Sequence, residues 1–555
     1  MAGRHEPFLI RMQALSGRTG AMLAGAVCLA IVGLFVGLPV LSLLLSPVGG
    51  PLDGNALFDS YIYRVARFTL LQAVASTLLS VAFALPVARA MARQSRFPGR
   101  IWLVRLMALP LGLPALVAAL GLVEIWGRQG WLNSLWTSVT GAAPISIYGL
   151  TGILLAHVFF NMPLAARLML AGLERLPNEY WRLSANLGMG PVAVFRFVEW
   201  PALARLIPGI ASLIFMLCAT SFTLVLTLGG GPAATTIEVA IYQSLRLDFD
   251  PTRAVALSCL QIAFTGALLW IAARFAVVED DSRTSGQRVR RFDGRSFGAR
   301  LRDATTLFVF LVFTAAPLVA VVRSGLAADL GRLASDPQVH KALLTSLAIA
   351  GAAGVLTVAL AASLVRARQQ ALSRRRAGPS ALALASGISA STSLVLLVPP
   401  VVLGSGWFLL VRPIGDVATF APYLVIAVNV LMALPFVVRV LDPAFAQHRS
   451  RTARLADSLG LSGWSRIRLI DWPVLKLPFL MAFSFAMALS LGDLGAVALF
   501  GSQDMVTLPW LLFSRMGSYR TADAAGLALL LGLICVGLTI LGTMRGRAPL
   551  EPHHG

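Results

Sequence analysis

The sequence predicts an all-α polytopic membrane protein, with about twelve transmembrane helices in two parallel six-helix repeats. Three observations lead there. The 555 residues are 57% hydrophobic and only 13% charged, with a mean hydropathy of +0.78. The apolar residues gather into runs close to the ~20 residues that a bilayer-crossing helix needs. Landmarks in the second half repeat those of the first at a constant spacing of 272 residues. Soluble domains carry about twice this share of charge, so soluble globular and disordered classes are excluded.

The first run follows Arg4, Arg11 and Arg18 and extends from about Ala21 to Ser46. It is longer than the roughly 7–15 residues of a signal-peptide core, so it is expected to be the first transmembrane helix, with the amino terminus in the cytoplasm. The other spans of the first half are expected near 67–92, 102–126, 146–170, 205–228 and 252–278. Those of the second half are expected near 304–323, 342–366, 381–411, 421–441, 477–500 and 522–543. This divides the chain into a first repeat (1–278), a cytoplasmic linker (279–302) and a second repeat (303–555). The linker carries Arg283, Arg288, Arg290, Arg291, Arg295, Arg300 and Arg302. An even number of spans per repeat returns both carboxyl ends to the cytoplasm and makes the repeats parallel, an arrangement that commonly places a pathway between two halves.

The net charge is +21, and all but two of the 46 basic residues are arginine. In a soluble chain that excess would suggest nucleic acid. Here most basic residues fall in one alternate set of loops, as topology and contact with anionic lipid require, so no nucleic-acid partner is expected. Cys28, Cys218, Cys259 and Cys535 all sit in apolar spans and form no C-x-x-C pair, so they are expected to be small buried residues rather than a disulfide framework or metal site.

The repeat is clearest between Pro163 and Pro435 and onward to Gly229 and Gly501. Within it, the cytoplasmic segment YWRLSANLGMGPVAVFRFVEWPAL (180–203) aligns with TARLADSLGLSGWSRIRLIDWPVL (452–475). The spacing pairs Arg182 with Arg454, Leu183 with Leu455, Leu187 with Leu459, Gly188 with Gly460, Glu199 with Asp471 and Pro201 with Pro473. Each copy reads as a short helix, a glycine, nine residues, an aliphatic residue (Val198 or Ile470), two more residues and a proline. The glycine permits a left-handed turn, and the proline suits the start of the next membrane helix. Leucines four apart form an apolar ridge, which can seat in a groove on a partner.

Both segments resemble the coupling motif of ABC importer permeases: Glu-Ala-Ala, three residues, Gly, nine residues, Ile, any residue, Leu-Pro. The spacing matches in both copies, with Arg182, Leu183 and Ser184, and then Arg454, Leu455 and Ala456, in the Glu-Ala-Ala positions. Trp200 and Trp472 stand where Leu is usual. Fused permeases with two six-helix halves are typical of ferric-iron and thiamine importers. FRFVEWPAL, LIFMLCATSF, TLGGGPAATTIEVAIYQSL and LSLGDLGAVALFG are similar to the bacterial thiamine and thiamine pyrophosphate permeases.

The resemblance implies a type I ABC importer permease fold in the bacterial inner membrane, with both termini cytoplasmic. It implies coupling loops near 177–201 and 449–473, docked on a cytoplasmic ABC ATPase homodimer. It also implies a periplasmic thiamine-binding protein as second partner, and thiamine with its phosphates as cargo. ATP and Mg would be bound by the ATPase, and this chain would carry no cofactor and no catalytic residue. A ferric-iron or other small-solute ABC permease is the alternative reading. An ion-coupled secondary transporter is another, although it would have no need of the repeated loop.

The residues bear on ATP independently. A phosphate-cradling Walker loop needs Gly-Lys-Ser/Thr, yet Lys341 follows His340 and Lys476 follows Leu475. Neither lysine completes such a loop, so an ATP-driven mechanism needs a second chain. No nucleophile elbow or acidic cluster suggests an enzyme.

Ionisable residues inside spans mark pathways. Asp493, with Ser221 as its repeat counterpart, is the candidate: a carboxylate there could attract a cationic solute, or it could pair with a nearby arginine or cap a broken helix beside Gly492 and Gly495. His157, Asn161 and Asn429 are expected to hydrogen-bond between helices. Gly229, Gly230, Gly231 and Pro232 mark a sharp reversal. After it, TTIEVAIYQSL is expected to lie along the membrane surface as an amphipathic helix.

Overall fold

The computed structural model describes residues 6–45, 59–274, 291–372, 378–459, 461, 463–501, 505–518 and 520–544. Every regular element among them is helical. Ten of the expected spans are single helices long and apolar enough to cross a membrane, from Gly20–Leu45 to Thr521–Gly542. Their starts obey local chemistry. The Asp59 carboxylate accepts the Tyr61 N–H at 3.1 Å ahead of helix Ser60–Arg93, and Ser296 Oγ accepts the Ala299 N–H at 3.2 Å ahead of Phe297–Ala327.

The other two expected spans are broken. The run near 102–126 becomes Arg100–Pro110 followed by Ala115–Thr140, bent by 111°. The run near 381–411 becomes Pro379–Leu397 and Pro400–Val411. Proline disfavours the helical region for the residue before it. Accordingly Leu113, before Pro114, and Val398, before Pro399, are extended, and each break falls there. Two more expected spans end early: helix Trp200–Ala219 stops ahead of Thr223–Leu228, and helix Trp472–Gly492 stops ahead of Gly495–Phe500.

The chain divides into two compact units that do not follow the sequence repeats. One comprises 48–333 and 512–532; the other comprises 1–47, 334–511 and 533–555. The opening helix of each repeat therefore packs in the unit that holds most of the other repeat. In the unit of 48–333, helix Ser60–Arg93 packs on Leu150–Glu174 and Trp200–Ala219. Met107, Met169, Leu203, Ile214 and Phe310 are buried in its core. In the unit of 334–511, helix Pro337–Leu372 packs against Glu6–Leu45, Val417–Ser458 and Trp472–Gly492.

Candidate functional site

The first elbow begins at Pro177, three residues beyond the end of helix Leu150–Glu174 and directly before helix Asn178–Asn186. That helix closes in a Schellman motif. The Met189 N–H donates to Ser184 O at 3.0 Å, and the Gly188 N–H donates to Ala185 O at 3.1 Å. Gly188 takes the left-handed conformation that this motif requires, with φ +63°. Trp181 and Ser184 face inward, whereas Leu183 and Leu187 are 56% and 67% exposed. Arg182 is exposed beside them. The expected ridge is therefore present and points outward.

After Pro191–Val194 the chain makes a π-helical turn, Phe195–Glu199, before helix Trp200–Ala219. The Trp200 N–H donates to Phe195 O, five residues back. Pro201 explains the widened turn: it has no N–H to donate, and its ring crowds the carbonyl four residues earlier. Val198 is half-buried and Pro201 exposed.

Glu199 ends that turn with no exposed surface and is held from two sides. Arg89 Nε donates to Oε2 at 2.6 Å, and Arg291 Nη2 donates to Oε1 at 2.5 Å. Arg291 also pairs with Asp293, through Nε at 3.0 Å and Nη2 at 2.7 Å. Its guanidinium carbon lies 4.0 Å from the centre of the Trp181 ring, and that of Arg89 lies 4.0 Å from the Phe195 ring. Burial works against the Arg291 charge. The hydrogen bonds and charges of Asp293 and Glu199 outweigh it and hold the group above its ordinary range. Removing one partner from such a buried network leaves an uncompensated charge, at a cost of roughly 3–5 kcal/mol.

The second elbow is built differently. Its helical part is no short separate piece but the end of helix Val417–Ser458. The repeat position of Pro177 is Arg449, whose Nη1 donates to Gln369 O at 2.7 Å, so nothing interrupts the helix there. Arg454 and Leu455 lie on this helix, with their side chains outside the described residues, as is Gly460. Leu459 is 60% exposed, matching Leu187. The π turn recurs as Ile467–Asp471 ahead of helix Trp472–Gly492. Ile470 is half-buried and Pro473 exposed. Asp471, the counterpart of Glu199, takes His448 Nε2 at 2.7 Å and has Arg466 Nε at 3.9 Å.

Asp493 and Ser221 both fall in the breaks that follow the long helices. The Asp493 carboxylate caps the short helix beyond it: Oδ1 accepts the Gly495 N–H at 3.1 Å and Oδ2 accepts the Ala496 N–H at 3.2 Å. His157, Asn161 and Asn429 bond between helices. His157 Nδ1 is hydrogen-bonded to Ser76 Oγ at 2.9 Å, Asn161 Nδ2 donates to Cys218 Sγ at 3.3 Å, and Asn429 Nδ2 donates to Ser490 Oγ at 2.7 Å.

One expectation is corrected. The reversal at Gly230 and Gly231 is real, with φ +70° and +140°, but helix Ile237–Arg246 does not lie on a surface. Residues Ile237–Tyr242, Ser244 and Leu245 are all buried. The helix packs on Ser60–Arg93 and Pro251–Arg274, and Thr69 Oγ1 accepts the Ile237 N–H at 3.0 Å. The second repeat uses the same device, with Ser346 Oγ accepting the Leu508 N–H at 2.8 Å. Burial includes Glu238, neither of whose oxygens has a hydrogen-bond partner among the described residues.

Sequence reasoning did not single out Arg291, Glu199 or Glu238 as site residues. An acid at one repeat position in both copies, just before Trp-Pro, was the available signal for Glu199. Arg291 looks like any other arginine of its linker.

Long apolar helices, with outward-facing elbows between them, define a polytopic permease. A family model for the binding-protein-dependent transport system inner membrane component matches residues 84–277. The thiamine transport system permease protein ThiP of Brucella abortus (strain 2308) is 49% identical, over 96% of both chains. Its namesake from Escherichia coli (strain K12) is 44% identical, over 88% of this chain and 90% of the relative. The sulfate transport system permease protein CysW of Synechococcus elongatus is 31% identical, over 32% of this chain and 61% of its own. The chain belongs to the family of binding-protein-dependent transport system inner membrane components, the membrane-embedded parts of ABC importers.

Proposed function

We propose that this chain forms the inner-membrane translocation pathway of an ATP-driven importer for thiamine and its phosphates. The observation that carries the cargo is its near full-length identity to permeases named for thiamine transport. The protein itself is no enzyme and holds no cofactor. A cytoplasmic ATPase homodimer binds ATP and Mg, and a periplasmic protein delivers thiamine. Both termini lie in the cytoplasm, on the side of the elbows.

Docking rests on the apolar ridges rather than on the carboxylate common to this motif, because Arg182 and Arg454 occupy its position. Leu183 and Leu187 expose enough side chain for each to contribute about 1.5–3 kcal/mol when buried in a partner groove. Closure of the ATPase is transmitted through the elbows at 177–201 and 449–473 to the helices that follow them, and access to the pathway alternates from one side to the other.

The test is uptake of radiolabelled thiamine into vesicles holding the permease, with and without the ATPase and binding protein. Accumulation should require ATP and all three components. Leu183→Asp with Leu187→Asp should weaken ATPase recruitment by at least roughly ten-fold, on the scale of one buried leucine. Accumulation driven by an ion gradient alone would refute the reading.

A further inference from the structure

The middle of the linker is not a passive tether. Arg291 touches two parts of the first elbow that the chain separates by a turn. Its guanidinium lies on Trp181, in helix Asn178–Asn186, and its Nη2 holds Glu199, at the foot of helix Trp200–Ala219. Between those contacts lies the left-handed turn at Gly188, a point at which the two helices could otherwise swing independently. The crevice among Trp181, Ser184, Met189, Val194, Arg291 and Asp293 is narrow, with room for about one water.

The segment around Arg291 is itself anchored. Asp293 fixes the guanidinium. Gly294 O accepts from Gln94 Nε2 at 3.2 Å, and Asp303 accepts from Gln94 and Arg93. Arg89, one helical turn before Arg93, holds the other Glu199 oxygen. In the second elbow the corresponding carboxylate is held instead by His448, from the helix that runs into that elbow.

We propose that Arg291 is a positioning residue of the first coupling elbow: its buried guanidinium locks Trp181 to Glu199, so that the docked helix and helix Trp200–Ala219 move as one body. This rests on the reading that residues 177–201 dock an ATPase. An arginine suits the task because its plane lies on an aromatic face while its edges serve two carboxylates, which a lysine ammonium cannot do.

The test uses the full-length permease with its ATPase and binding protein in vesicles, comparing wild type with Arg291→Ala, Arg291→Lys and Trp181→Leu. The readout is radiolabelled thiamine accumulated per ATP hydrolysed. Arg291→Ala should keep ATPase recruitment and lower that ratio roughly ten-fold, within the range that coupling-path substitutions produce. Arg291→Lys and Trp181→Leu should fall between it and wild type, and they carry the test if Arg291→Ala does not assemble. An unchanged ratio, or uptake and hydrolysis that decline together, would overturn the proposal. Amide exchange over 178–187 in the permease alone gives a readout independent of cargo. It should quicken in the Arg291 variants while 60–93 stays protected, and equal protection would also overturn the lock. A wild-type complex that hydrolyses ATP without accumulating thiamine would sink the cargo reading and leave the exchange result to judge Arg291.

Discussion

His448 and Asp471 meet through Nε2 and Oδ1 at 2.7 Å, 23 residues apart in the chain. Asp471 stands where the first repeat has Glu199, yet the two carboxylates are held by different chemistry from different directions. Among the described residues, His448→Ala would leave Asp471 with only the longer approach of Arg466. The lost hydrogen bond to a charged group should cost about 1.5–3 kcal/mol, seen as a lower apparent unfolding temperature. His448→Gln keeps a donor of similar reach and should recover most of it. Paired with Asp471→Asn, the double-mutant cycle should be non-additive; additive losses would show that the contact contributes nothing.

A Cβ added at Gly188 would meet no atom of the described residues within 4 Å, so among them a side chain there is opposed by backbone conformation alone. Gly188→Ala should destabilise the turn by about 1–2 kcal/mol, and Gly188→Asn by less. Gly188→Val adds a stiff branched side chain to the same φ and should go furthest. The expected sequence of losses is faster amide exchange at 184–189, then weaker ATPase recruitment, with membrane insertion intact. Recruitment equal to wild type in the valine variant would count against the elbow as a docking element.

Asp493 divides its two oxygens between two backbone donors, which is what a cap does. Asp493→Ala should therefore lower stability by about 1 kcal/mol. Asp493→Asn retains one acceptor and should lose less. Thiamine uptake by a stably folded Asp493→Asn variant separates capping from cargo attraction: the cap alone leaves uptake near wild type, and a large loss assigns the charge to the pathway.

Glu238 has no hydrogen-bond partner for either oxygen among the described residues, and burial pushes its carboxyl well above the ordinary carboxylate range. The folded protein thus holds this proton where the unfolded chain releases it. Stability from this group is fully present below the unfolded value of 4.5 and is lost as pH rises toward the folded value. Glu238→Gln removes that loss. The variant should match wild type near pH 4 and unfold at a higher temperature at about pH 7 to 8. Parallel pH profiles for the two proteins would show that Glu238 is not held protonated.

Ten spans and the first elbow were legible because each depends on local chemistry: runs of apolar residues, a glycine in a left-handed turn, a proline that cannot donate. The breaks after Leu113 and Val398 were also written locally, as residues preceding proline, but the surrounding hydropathy masked them. The same masking joined Thr223–Leu228 to the helix before it, and Gly495–Phe500 likewise. Helix Ile237–Arg246 misled for another reason. Its amphipathic pattern is equally compatible with a membrane surface and with a groove between helices, and only the packing on Ser60–Arg93 and Pro251–Arg274 distinguishes them.

By itself the amino-acid order determined that this chain crosses a membrane repeatedly, that it is duplicated, and that the first copy turns a leucine ridge on Gly188 before the next long helix. These follow from hydropathy and backbone freedom, which act within a few residues. Tertiary structure decided that Arg291 reaches Glu199 and Trp181, that His448 serves Asp471, and that each opening helix packs in the unit holding most of the other repeat. Such choices depend on which buried charges and faces meet across long stretches of chain, where no local periodicity reports the partner.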